Sequence, residues 1–136
     1  MRVRHEFSRY ASQYGMYNVI QSKVAQKLIA DTQQKPGHIL DLGCGSGTLY
    51  SHIDWEIETF TGVDFSESML EHHPKSPNVT LRLGDFNDAT LFENLSCGRF
   101  DRIYSASALQ WANDLDRVFQ SISQLNGSVS LAIFTS

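Results

Sequence analysis

The stretch Ile39-Leu40-Asp41-Leu42-Gly43-Cys44-Gly45-Ser46-Gly47-Thr48 joins a strand that is apolar on both faces to a loop with almost no side chains. His38 to Leu42 has the character of a strand in a parallel sheet covered by helices on either side. Beyond the glycines, Leu49, Tyr50 and Ile53 fall at i, i+1 and i+4, which predicts a helix. A glycine loop that feeds a helix N-terminus turns unpaired N–H groups and a positive dipole end towards a cleft, an arrangement suited to a carboxylate or phosphate.

The spacing of the glycines narrows the ligand. Dinucleotide-binding loops want glycine at the first, third and sixth positions, and nucleotide-phosphate loops end in Gly-Lys-Ser/Thr. Here the glycines stand first, third and fifth, Thr48 occupies the sixth place, and no lysine precedes it. The pattern Asp41-x-Gly43-x-Gly45-x-Gly47 resembles the first motif of the class I S-adenosylmethionine-dependent methyltransferases. The resemblance implies that the loop, Cys44 included, passes beneath the methionine part of the cofactor and that Asp41 helps to hold its ammonium group.

Length and composition fit an ordinary globular chain. The 136 residues suffice for one domain and its core, divided on this reading into an N-terminal lid and helix (1–35) and a Rossmann-like region (36–136). Eleven basic residues against 15 acidic ones give a net charge of −4, so the chain lacks the positive surface that drives non-specific nucleic-acid binding. No run approaches the roughly 18 apolar residues of a membrane span, and the N-terminus has no signal-peptide core; a cytoplasmic protein is expected. Cys44 and Cys97 offer neither a disulfide framework nor a zinc spacing, and no metal is expected.

Along the chain, Ile20, Val24 and Leu28, with Ala25 and Ile29 beside them, recur at helical spacing. The aromatic segment before them, with Tyr10 and Tyr14, is either packing or a lid of the kind that precedes the first strand in small-molecule methyltransferases. Glu58 to Val63 reads as the second strand. Asp64 stands at its carboxyl end, about 20 residues beyond the glycine loop, where an acid can accept from ribose hydroxyls. Phe65 follows it, and Ser66 is the expected N-cap of a helix carrying Met69 and Leu70 and closing at His72-His73-Pro74. The paired histidines are expected to complement that helix's dipole. Val79, Leu81 and Leu83 alternate with polar residues as a third strand that runs into Gly84-Asp85-Phe86.

The family resemblance assigns Asp85 to the adenine amino group and Phe86 to its ring, and adds Phe65, Met69 and Ser105 to the cofactor side. Asp88 to Leu95 and Leu115 to Ile122 read as helices, and Phe100 to Ala106 and Val129 to Phe134 as the fourth and fifth strands. Strands alternating with helices require parallel pairing, hence an α/β fold, the three-layer Rossmann-like sandwich of class I methyltransferases. Members of this class usually add two more strands, which are expected to be missing here. The fifth strand would then be an apolar edge, inviting self-association or a partner strand.

The end of the fourth strand bears on the acceptor. Enzymes acting on exocyclic amines or glutamine amides carry an acid or Asn followed by Pro-Pro and an aromatic, whereas this chain has Ser105-Ala106-Ser107-Ala108; cytosine-5 chemistry needs a nearby nucleophilic cysteine, which is lacking. No nucleic-acid acceptor is expected. The block Ala108-Leu109-Gln110-Trp111, with Phe7-Ser8-Arg9 to Gln21, is similar to the malonyl-acyl-carrier-protein O-methyltransferase of biotin synthesis. The trans-aconitate methyltransferases share the Leu-Gln-Trp block. Both esterify a carboxylate on a small molecule or an acyl-carrier-protein-linked acid, leaving S-adenosylhomocysteine. Tyr10, Tyr14, Gln110 and Trp111 are the substrate-side candidates, with core and helix-cap roles open to the last two. No catalytic acid or base is expected, because a sulfonium methyl is already activated. Departures are Ala106, where an Asn is frequent, and the absent region that carries an arginine for the acceptor carboxylate. The competing reading is a cofactor-binding module without catalysis.

Overall fold

A computed structural model of the protein describes residues 14–106, 115–125 and 128–132. Its elements run α1 (Tyr14–Ala30), β1 (His38–Leu42), a 3-10 turn (Tyr50–His52), β2 (Thr59–Asp64), α2 (Glu67–His72), β3 (Val79–Leu83), α3 (Ala89–Leu95), β4 (Arg102–Ala106), α4 (Leu115–Ser123) and β5 (Ser128–Ala132). The five strands form one sheet in the order β3-β2-β1-β4-β5, and each neighbouring pair is parallel. Such an order puts β1 at the centre and aligns the carboxyl ends of all five strands on one edge.

Alternation along β1 divides the core. Ile39 packs with Ala25 and Ile29 of α1, Phe60 and Tyr104 on one face of the sheet. Leu40 and Leu42 pack on the other with Leu91, Phe92 and Leu95 of α3 and with Val118 and Ile122 of α4. Successive residues of a strand point to opposite faces, so a centre strand apolar at both requires two covering layers. The Rossmann-like α/β sandwich is thus in place. In α4, read from the sequence as a helix, Val118 and Ile122 are buried and Phe119 is half-buried, and α3 starts at its Asp88 N-cap, whose carboxylate accepts from Thr90 N–H.

Several expectations change. No α-helix follows the glycine loop: Ser51 N–H donates to Gly47 O, His52 to Leu49 O and Ile53 to Tyr50 O, after which Ile53 is extended. One turn is all that fits before Trp55 turns back to donate its indole N–H to Pro36 O at 2.9 Å. On α1 the buried stripe is Ala25 and Ile29, and Ile20, 42% exposed, lies off it. Leu83, taken as an inward position of β3, is exposed at the end of the outer strand of the described sheet. His73, expected as a dipole-complementing cation, is buried. Strand limits shift by one or two residues: β2 begins at Thr59 and β4 at Arg102, and β5 is Ser128–Ala132.

Candidate functional site

The glycine turn sits directly above the carboxyl end of β1. Gly43 and Cys44 N–H both donate to Val63 O, at 2.6 and 3.0 Å, tying the turn to β2 one step beyond the last ladder bond. Ser105 Oγ donates to Leu42 O at 2.8 Å and ties it to β4 on the other side. Gly43, Gly45 and Gly47 have φ of 82°, 55° and 101°, the left-handed region that side chains with a Cβ avoid. Their surroundings differ. A Cβ on Gly45 would meet nothing within 4 Å, so this glycine borders open space. A Cβ on Gly47 would lie 2.6 Å from Pro74 Cδ and 3.4 Å from His73 Cδ2.

Two acids lie under and beside the turn. Asp41, next to last in β1, is 1% exposed, and its Oδ2 has no hydrogen-bond partner. Burial, with the Asp64 carboxylate adding to it, pushes the Asp41 carboxyl up to about 8. An orphan carboxylate oxygen in a buried place is costly unless something with a proton or positive charge meets it. Asp64 ends β2; its Oδ1 accepts from Gly45 N–H at 3.2 Å and its Oδ2 from Ser66 N–H at 2.9 Å. Burial raises its affinity for a proton, and the two N–H bonds oppose the rise. Each oxygen keeps a second lone pair for a hydroxyl donor.

At the rim, Phe65 is 66% exposed, with Met69 and Leu83 also open to solvent. Apolar side chains left out at the end of a sheet suit the face of a flat ring. Asp85 is exposed past β3, its Oδ1 accepting from Asn87 N–H and Nδ2 at 2.9 Å each. The Phe86 ring, expected against adenine, belongs instead to the core cluster that holds Leu91 and Phe92, because the chain turns inward there to start α3. Phe65 is the exposed aromatic ring at this end of the sheet. Cys44 is likewise committed: a Cβ on Gly62 would be 2.8 Å from its Sγ, and burial beside Asp41 and Asp64 raises the thiol well above its ordinary range.

The structure therefore brings together Asp41, the three glycines, Asp64 and Phe65, with Met69 and Asp85 on the adjoining elements. Tyr10, Gln110 and Trp111, and the side chain of Tyr14, lie outside the described residues. Sequence reasoning passed over His73 and Pro74 as parts of the turn's support, since only the fold brings them to Gly47. Among the described residues no group of three or more His, Cys, Asp and Glu could hold a metal ion, and no helix is long and apolar enough to cross a membrane. An unpartnered buried acid, a turn open at Gly45 and an exposed aromatic fit a ligand carrying a cation, a polar middle and a flat ring.

The family described as "Methyltransferase domain" matches residues 39–126. Among curated proteins, a malonyl-[acyl-carrier protein] O-methyltransferase of Halalkalibacterium halodurans is 32% identical over 90% of this chain and 49% of its own length. An 18S rRNA (guanine-N(7))-methyltransferase of Mus musculus is 33% identical over 68% of the chain and 33% of its own length. The chain spans about half the length of the first of these relatives and a third of the second. Among solved structures, the complex between the Haloferax volcanii Trm112 methyltransferase activator and a methyltransferase contains a chain with the same fold, at TM-score 0.72 and 23% identity, covering 94% of this chain and 58% of that one.

Proposed function

We propose, since this chain belongs to the class I S-adenosylmethionine-dependent methyltransferases, that it binds S-adenosylmethionine at the carboxyl ends of β1 to β3 and serves methyl transfer to a carboxylate. S-adenosylmethionine, when bound, supplies a methyl group already activated by the sulfonium charge. The chain's own residues have three tasks. Asp41 meets the ammonium group, Asp64 accepts from the ribose hydroxyls, and Asp85 with Phe65 and Met69 receives the adenine. Gly45 leaves room for the ligand to approach the backbone. The observation that carries this reading is the Asp41 oxygen, buried and without a partner beneath an open glycine turn.

For the acceptor, a carboxylate of a small molecule or an acyl-carrier-protein-linked acid is preferred, as in the malonyl-acyl-carrier-protein relative and in biotin synthesis, with a cytoplasmic setting. Such an oxygen, with an ordinary pKa near ~4, is ionised at neutral pH and needs no general base. Orientation against the methyl, with water excluded, can supply on the order of 7–11 kcal/mol. Gln110, Trp111, Tyr10 and Tyr14 are the candidates for that positioning. The rRNA-modifying relative favours a second reading, a guanine acceptor. Net charge supports the carboxylate reading over the guanine one: −4 over 136 residues opposes the phosphate contacts on which RNA affinity depends.

Calorimetry with S-adenosylmethionine and S-adenosylhomocysteine tests the cofactor, and Asp64→Ala is expected to weaken both by about 1.5–3 kcal/mol, the range for charge-assisted hydrogen bonds. Labelled methyl transfer to malonyl-acyl-carrier protein should give a base-labile ester. Label entering RNA in a base-stable form would replace the carboxylate reading with the guanine one.

A further inference from the structure

His73 stands where the polypeptide leaves α2 and passes behind the glycine turn. Its ring is 2% exposed and lies against two aromatic rings, Tyr50 at 5.5 Å and Phe60 at 5.6 Å between centroids; those two meet edge to face at 5.0 Å. Nδ1 lies 2.8 Å from Pro74 O. A carbonyl only accepts, so the proton of a neutral ring is on Nδ1, leaving Nε2 as a bare acceptor, and that nitrogen is buried without a partner. The same residue pair closes on the turn: the space a Gly47 side chain would need is filled by Pro74 Cδ and His73 Cδ2. Gly47 has the most extreme φ of the three loop glycines, and such a conformation persists only where its surroundings hold it.

We propose that His73 is a positioning residue for the cofactor turn: its neutral ring, with Pro74, braces Gly47 from behind, so that a proton on Nε2 weakens cofactor binding. The proposal rests on the cofactor reading given above. A second proton would sit on a nitrogen that faces no acceptor, in an aromatic pocket that cannot solvate the charge, and the ring would have to leave. Leaving removes the packing behind Gly47, and the turn loses the shape that aims Gly45 and Asp64 at the ligand.

The charges around His73 support this sense. Lys75, in the loop that follows, opposes a second cation; its Nζ donates to His73 O at 3.1 Å as well as to Leu70 and Glu71 O. On α2 itself Glu71 and His72 are exposed, the latter bonded through Nδ1 to Ser68 O. The turn packed against the ring carries Tyr50 and His52, and His52 Nε2 pairs with Ser22 Oγ. Nearby β2 carries Asp64, engaged by two backbone N–H groups, and β3 carries Arg82. Burial, foremost, holds the ring below the ordinary histidine range, with the Pro74 bond opposing.

The experiment is a histidine-ring NMR titration of the protein with and without saturating S-adenosylhomocysteine, paired with calorimetry from pH 7.5 to 5.5 on the wild type and on His73→Phe. By reciprocity of linked equilibria, ligand that favours the braced turn must lower the midpoint of His73. The expected result is a lower His73 midpoint in the complex and a wild-type affinity that falls with acid by up to about tenfold per pH unit more than that of the phenylalanine variant, the limit for one proton. Should His73→Phe not fold, the wild-type titration alone decides. Binding with an unshifted His73 midpoint overturns this proposal and leaves the cofactor reading standing; no binding at any pH overturns both.

Discussion

Gly45 and Gly47 share a loop and a left-handed backbone, yet the fold asks different things of them. At Gly45 a methyl group would enter open space, so Gly45→Ala should cost only the conformational term, about 1–2 kcal/mol for a left-handed residue. At Gly47 the same methyl would run into Pro74 at 2.6 Å with φ at 101°, and the loss of stability should be clearly larger. The ligand discriminates in the other direction. If Gly45 is where the cofactor approaches the backbone, Gly45→Ala should fold and yet bind S-adenosylhomocysteine at least several-fold more weakly. Urea unfolding and calorimetry on the two variants check this, and wild-type affinity in Gly45→Ala would mean that the ligand lies elsewhere. The need for glycine was legible in the spacing alone. What each glycine makes room for was not, because Pro74 lies far along the chain and only the packing of α2 against the loop brings it there. The unpartnered oxygen of Asp41 was hidden for the same reason: its acid identity is local, its isolation tertiary.

Elements show the same division between local and tertiary information. The Ser66 cap came out as read, its Oγ accepting from Met69 N–H at the start of α2, and α4 buries Val118 and Ile122; the Asp88 cap of α3 is a finding of the structure. The helix expected after the glycines had only three apolar residues to support it and no cap, and the connection to β2 uses those positions for one turn and the Trp55 reversal instead. On α1 two overlapping apolar rows compete, and burial against Ile39, Phe60 and Tyr104 selects the one with Ala25 and Ile29; periodicity cannot rank rows of similar hydrophobicity. The energetic weights of cap and stripe can be compared on α3. Asp88→Ala should cost about 0.5–2 kcal/mol, as for a lost N-cap. Leu91→Ala should cost more, about 2–5 kcal/mol, since Leu91 fills the core beneath Gly84, whose Cβ would stand 2.7 Å from Leu91 Cδ1. Equal effects in chemical denaturation would mean that α3 is held by its own hydrogen bonds rather than by the core.

In the molecule as a whole, parallel strands deliver acid to one edge of the sheet: Asp41 in β1, Asp64 ending β2 and Asp85 just past β3 stand on three neighbours. The chain is acidic besides, so a ligand that brings a cation to this edge relieves a cost that the free fold carries. The sign follows from Asp41. Its carboxyl is raised to about 8 in the fold against an ordinary value near ~4; between these limits the native state keeps a proton that the unfolded chain has lost. The stability contributed by that proton is complete at acid pH and is lost as pH rises towards about 8. A cationic ligand pairs with the ionised form, displacing the proton, so its affinity grows over the same interval and levels off above it. His73 acts on stability with the opposite sign and in a lower window: its folded range is depressed, so its share of stability is complete above the ordinary value near ~6.5 and falls away as pH drops below it, yet ligand affinity again grows with pH because the neutral ring is the form that braces the turn. The rise in melting temperature produced by S-adenosylhomocysteine should therefore increase from pH 5 to pH 8. Asp41→Asn should remove the larger part of that increase across the whole range, leaving only a residual rise below the ordinary histidine value, and His73→Phe should remove only that acid residue. A thermal-shift series on the three proteins separates the two groups, because each variant deletes one proton from the cycle. Equal stabilisation by the ligand at pH 5.5 and pH 8 in the wild type would show that neither buried group exchanges its proton on binding, and an unchanged slope in Asp41→Asn would move the cation away from the base of β1.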